Sequence, residues 1–312
     1  MKARLPRLAL AGLALTLAAC DLGTTPGSST ACSKVTLPAA SAGGAPVAVL
    51  RDVAGGPVEY LVGAPGRTSA RMPEADGEIP PVRTGDRLWF TVTRGAGADR
   101  VLEIRTARAG ECSSRVTDGT LGPADPQGKA IVVGADAKWR MLDTSGRAIA
   151  DLEGIRGTWT PDGYLVEPRT AGGLAVYDDT GKRHDIDLSS DSSATGAMGP
   201  GHELLSTPSG LASMDIVSGA VTTLPHSPSQ PANVEASRDG KYLTYFDAQR
   251  NPQLMRVADG VITALPAPGP PTGMTWSADS RWVAVQSPYG GVVVHVDDLT
   301  SIDTGPLIVI SW

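Results

Sequence analysis

From about residue 44 onward the apolar residues come in runs of four to six, each broken by Gly, Pro, Asp or Ser, and no helical period is sustained. AIVVGA (130–135), LAVYDD (174–179) and GVVVHV (291–296) are typical. Runs this short, closed by turn-forming residues, predict a chain of many short strands, hence an all-β protein.

The runs repeat. WTPDGYLVEP (159–168), ASRDGKYLTYFD (236–247) and WSADSRWVAVQS (276–287) share a strand end, a Ser or Thr, a variable residue, an Asp, a Gly or Ser, and a second apolar strand. Their aspartates, Asp162, Asp239 and Asp279, are 77 and 40 residues apart, and a weaker copy with Gly201 near the Asp position divides the longer interval. The same phase reaches PQGKAIVVGA (126–135), TGDRLWFTVT (84–93) and GAPVAVLRD (44–52). Each unit adds a third strand and a fourth that ends near proline, as in AVTTLP and VITALP. Four strands per unit of about 40 residues is the pattern of a β-propeller blade, and counting units predicts seven blades of four antiparallel strands over 32–312.

The closing LIVISW matches TGMTWS (272–277) as an innermost strand with no blade after it, whereas APVAVLRD has no innermost strand before it. Joining the two closes the ring with the C-terminal strand and leaves no open edge. The alternative is a small β domain at 32–118 followed by a shorter propeller at 119–312. The Asp turns read as structural, the carboxylate accepting turn amides while the next Gly takes positive φ. Trp159, Trp276 and Trp312 hold equivalent positions and read as packing between blades.

TPDGYL, SRDGKYL and SADSRWVAV resemble the WSPDGK-type repeat of the TolB propeller and of WD-like propellers of bacterial exported proteins. The resemblance implies the fold. In the TolB family it also implies an adaptor that binds an envelope lipoprotein, but this chain lacks a recognisable TolB N-terminal domain, and the same partner does not follow.

The first residues add an address. Lys2, Arg4 and Arg7 precede the apolar run LALAGLALTLAA, which ends on Leu17-Ala18-Ala19-Cys20. Residues 1–19 read as a secretory signal peptide, and the quartet resembles the bacterial lipobox, whose cysteine is lipidated on its thiol before cleavage in front of it. Cys20 is then the membrane anchor, and residues 20–31, rich in Gly, Ser, Thr and Pro, are a flexible tether. The expected localisation is the cell membrane, lipid-anchored on its extracytoplasmic face. The chain carries a formal charge of −6, or −9 without residues 1–19, so nucleic acid is not an expected partner. Cys32 and Cys112 remain, an even pair in an oxidising compartment. A disulfide between them would stabilise the fold by roughly 4 kcal/mol on the chain-entropy model. The four histidines show no ligand spacing with either cysteine, so no metal is expected.

Candidate chemistry is sparse. No nucleophile elbow, zinc-protease helix, P-loop or dinucleotide fingerprint occurs, so no catalytic residue and no cofactor is assigned. In a propeller the second-to-third-strand loops and the connections between blades open on one face. Arg51, Arg169, His226, Asp247, Arg250 and Tyr289 are the most chemically capable side chains there. The expected function is a binding module for an envelope protein or a small ligand. The alternative is a propeller hydrolase or lyase whose site is assembled from single residues on several blades.

Overall fold

Strands reverse wherever Gly, Pro or Asp interrupts an apolar run, and neighbours in sequence pair as neighbours in space, all antiparallel. The computed structural model describes residues 47–51, 59–63, 82–84, 87–95, 100–108, 111–135, 138–153, 157–228, 231–277, 279–305 and 308–311. They begin with β1 (Val47–Arg51) and β2 (Glu59–Gly63). The first four-stranded sheet is β3 (Val82–Thr84), β4 (Arg87–Arg94), β5 (Val101–Arg108) and β6 (Ser114–Asp118). The second is β7 (Thr120–Ala124), β8 (Ala130–Ala135), β9 (Lys138–Asp143) and β10 (Ala148–Leu152). The third is β11 (Thr158–Trp159), β12 (Leu165–Pro168), β13 (Leu174–Tyr177) and β14 (Arg183–Ile186). The fourth is β15 (Ser193–Ala197), β16 (His202–Thr207), β17 (Gly210–Asp215) and β18 (Val221–Thr223). The fifth is β19 (Ala232–Ala236), β20 (Tyr242–Phe246), β21 (Pro252–Arg256) and β22 (Ile262–Ala264). The sixth is β23 (Gly273–Trp276), β24 (Trp282–Ser287), β25 (Gly290–His295) and β26 (Ser301–Gly305). Last, β27 (Ile308–Ser311) pairs with β1, giving a three-stranded sheet in the order β2-β1-β27.

The second strands read as continuous apolar runs because both of their faces are covered. On β8, Ile131 and Val133 pack with Trp89 and Ile104 of the first sheet, while Ala130 and Val132 pack with Leu165 and Tyr177 of the third. Val166, Leu174 and Val176 meet Leu205, Ala212 and Met214, which joins the third sheet to the fourth. Leu204 and Leu211 meet Leu243 and Tyr245, joining fourth to fifth. Phe246 and Leu254 meet Val283, Val285 and Val294, joining fifth to sixth. Each of these five core clusters spans two consecutive sheets, so among the described residues the six four-stranded sheets bury their apolar faces against one another.

The turn between first and second strands is built as its sequence predicts. Asp239 Oδ1 accepts Ser237 Oγ at 2.7 Å and the Lys241 amide at 3.2 Å, and Ser237 Oγ accepts the Tyr242 amide at 3.0 Å. Ser277 and Asp279 repeat the pattern at 2.6 Å and 3.1 Å. Gly163 and Gly240, with φ of +93° and +70°, take the left-handed conformation the turn requires. Trp159 and Trp276 are buried, their indole N–H groups donating to Pro123 O and Thr244 Oγ1. Trp312 lies outside the described residues.

Candidate functional site

The first strands of successive sheets stand side by side, β3 against β7, β7 against β11, and so on through β15 and β19 to β23. Together they wall a cavity of about 460 Å³. Val82 of β3, Ala124 of β7, Thr158 of β11, Ala197 of β15, Glu235 of β19 and Thr275 of β23 all line it. A hollow reached by six sheets at once is the central channel of the assembly, and this part of it lies where the first strands enter their Asp turns, since Pro126, Pro161 and Arg238 also line it.

Three of these first strands are irregular. β7 is bulged between Leu121 and Ala124, β15 between Ala194 and Gly196, and β19 between Ala232 and Glu235, each gaining one residue over its partner. A bulge re-phases the inward and outward alternation, which is how strands re-aim side chains next to sites. Most of the resulting wall is small or neutral.

Two groups break that neutrality. Burial pushes the Glu235 carboxyl up to about 7, and it pulls the Arg238 guanidinium below its ordinary value; for each, loss of hydration is the whole cause. Glu235 meets water in the cavity, yet enough protein surrounds it to displace much of its bulk hydration. Neither side chain has a hydrogen-bond or ion-pair partner among the described residues. A second carboxyl stands behind the wall. Glu203 of β16 is 1% exposed, burial pushes it up to about 8, and Thr158 Oγ1 donates to it at 3.5 Å.

A second hollow of about 610 Å³ lies between the fourth and fifth sheets and shares Thr195 with the first. Its walls include Ser206, Thr207, Pro228, Pro231 and Asn233, and among the described residues none of its lining side chains is charged.

The loop residues singled out from the sequence lie elsewhere. Arg169 opens the turn after β12, where its Nη1 donates to Asp187 at 3.0 Å and its Nε lies 3.5 Å from Asp185. Asp247 organises its own turn, Oδ1 accepting the amides of Gln249 at 2.9 Å and Asn251 at 2.8 Å, and these bonds hold its carboxyl below the usual range. Arg250, in the same turn, has φ of +64°. His226 is exposed, its Cβ and ring packed over Gly260 of the fifth sheet's outer turn. Tyr289 is 71% exposed and lies over Gly269. Arg51 ends β1, and its side chain is outside the described residues, as are Cys20 and Cys32. Cys112 is exposed just before β6. Asp247 and Arg250 share one turn, and Arg169, His226, Asp247, Arg250 and Tyr289 do not line the cavity.

No protein-family model matches the chain, and no curated protein matches it. Among solved structures the chain is similar to the β-propeller domain of the Trilobed protease from Pyrococcus furiosus, which has an open velcro topology (16% identity, 83% of this chain and 96% of that one, TM-score 0.55). It is also similar to an oligogalacturonate lyase in complex with manganese (11%, 70% and 73%, TM-score 0.50) and to TolB from Acinetobacter baumannii (17%, 84% and 81%, TM-score 0.47). Six meandering four-stranded sheets whose first strands share one cavity, together with the likeness to the Pyrococcus domain, identify the fold as a β-propeller.

Proposed function

We propose that this β-propeller is a lipid-anchored extracytoplasmic binding module that takes its ligand in the central channel, at the end where the Asp turns lie. The observation that carries the reading is the pairing of Glu235 and Arg238 in one cavity with no partner for either. Charged groups left without a partner in a cavity cluster where a ligand supplies the missing contacts. The anchor rests on the Leu17–Cys20 quartet and the basic, apolar segment before it. The ring is closed as a seventh blade, a reading supported by the pairing of β27 with β1, and Cys32 is bonded to Cys112. In this the protein is TolB-like, although its partner need not be the same.

The test screens a fragment library against purified full-length protein in detergent, following the signals of Trp159 and Trp276 at the cavity wall. Fragments that perturb both, and fail to do so in Glu235→Ala/Arg238→Ala protein, bear the reading out; a silent cavity overturns it. For the anchor, Cys20→Ala protein leaves the membrane fraction for the soluble one, and its retention on the membrane refutes lipid attachment. A second reading, a hydrolase or lyase, is favoured by Glu235 itself, because a carboxyl that titrates near neutrality suits proton transfer. Turnover of a bound fragment, lost in Glu235→Gln protein that still binds it, would establish that reading.

A further inference from the structure

Resting on that channel as a binding site, we infer that its ligand is a small zwitterion, an amino acid or short peptide with free termini, whose carboxylate meets Arg238 and whose ammonium meets Glu235. Among the described residues the wall around these two side chains offers no other charge: Thr158, Ala197, Thr275 and the prolines at 126 and 161 are neutral. Among the described residues the cavity therefore holds one cation and one acid, and no ion pair joins them. The complement of that arrangement is a molecule carrying one charge of each sign.

A plain anion would satisfy Arg238 and face Glu235 without a donor; a plain cation would do the reverse. Either leaves one of the two charged side chains without a partner in a confined site. A neutral sugar leaves both. A zwitterion satisfies both and brings no net charge into the channel. The guanidinium is suited to its half of the task, since its planar fork takes a carboxylate through two parallel hydrogen bonds. Glu235 suits the other half. Its carboxyl is held near neutrality only by lost hydration, so an arriving ammonium restores a charge partner and draws it into the ionised form. A volume of about 460 Å³ lies within the range of small-ligand sites and is far too small for a folded partner.

The test is calorimetric titration of the full-length protein with triglycine, N-acetyl-triglycine and triglycine amide at pH 7.5. Triglycine is expected to bind roughly tenfold or more tightly than either blocked form, as one charge-assisted contact is lost in each. Arg238→Gln is expected to make triglycine and its amide bind alike, and Glu235→Gln to do the same for triglycine and its acetyl form. Circular dichroism of both variants confirms folding, and each keeps its preference at the unaltered end as an internal control. Equal binding of all three peptides, or discrimination that survives both substitutions, overturns the zwitterion. If the three peptides do not bind while library fragments still occupy the cavity, the ligand class fails and the channel reading stands. If nothing occupies the cavity, both fail.

Discussion

Asp162 Oδ1 accepts the backbone amide of Gly201 at 2.9 Å, so the turn of the third sheet is hydrogen-bonded to the turn of the fourth. Gln127 Nε2 reaches Pro161 O at 3.5 Å and the Asp239 amide donates to Ser280 Oγ at 3.0 Å, linking second to third and fifth to sixth. The turns are thus coupled around the channel, and Asp162 differs from Asp239 and Asp279, whose carboxylates hold their own turns. Asp162→Ala is expected to lower stability by about 1 kcal/mol, and Asp162→Asn by less because an oxygen acceptor remains. Urea denaturation with an unchanged slope checks both.

Leu299 holds φ of +59° at the place where Gly219 and Gly260 stand in the two preceding sheets. The equivalence is fixed by hydrogen bonds: Gly219 N to Asp215 O, Gly260 N to Arg256 O and Leu299 N to His295 O, at 2.8, 2.9 and 2.9 Å. A leucine in the left-handed region costs roughly 1–2 kcal/mol, and at 43% exposure its packing recovers part of that. Leu299→Gly is therefore expected to raise the unfolding midpoint, by less than that cost because glycine loosens the unfolded chain. Leu299→Val is expected to lower it, since a β-branched residue resists this conformation more strongly. Thermal melts of the pair separate backbone strain from lost contact.

The strands and turns are legible in the sequence because both depend on local chemistry. The unbroken run at 130–133 marks a strand covered on two sides, and Ser237 with Asp239 marks a turn that builds itself. The site is harder to see. Arg169 and Asp247 have reactive side chains in loops, but their polarity is used up in holding neighbouring residues. Glu203 sits at the polar start of a strand, and only the interlocking of two sheets reveals that it is buried. Glu235 and Arg238 do carry a signal. Pro123, Thr158, Gly196, Glu235 and Thr275 share one position in the repeat, two residues before the turn, and all line the cavity. Of the five only Glu235 is ionisable. Turn strings draw the eye to what repeats, whereas the site consists of what departs from the repeat.

Glu203 sets a pH dependence. Burial raises its folded pKa to about 8 from an ordinary 4.5, so its stabilising contribution is complete below about pH 4.5 and is lost as pH rises through 8. Over that interval folding requires the carboxyl to stay protonated or to bury a charge, at an eventual cost on the order of a few kcal/mol. Glu203→Gln keeps the shape and cannot ionise. It is expected to change stability little at pH 4.5 and to raise it at pH 8.5, flattening the curve between, as urea midpoints across that range would record. A variant destabilised equally at both pH values would mean that the carboxyl is held as an anion.

Arg238 is where binding and stability pull against each other. Its guanidinium has lost hydration and gained no partner, so a neutral replacement of similar length removes a cost from the empty protein. Arg238→Gln is expected to raise the unfolding midpoint, within the roughly 0.5–2 kcal/mol that such relief gives, while abolishing carboxylate selectivity. Glu235→Gln behaves differently with pH. The folded pKa of Glu235 is raised to about 7, so its contribution is complete below the ordinary 4.5 and lost as pH rises through 7. The gain from Glu235→Gln therefore appears between those values and is full above 7, whereas the gain from Arg238→Gln is present throughout. Melting both variants at pH 4.5 and 8 distinguishes these patterns. A fall in stability in both variants at both pH values would mean that Glu235 and Arg238 hold the channel together.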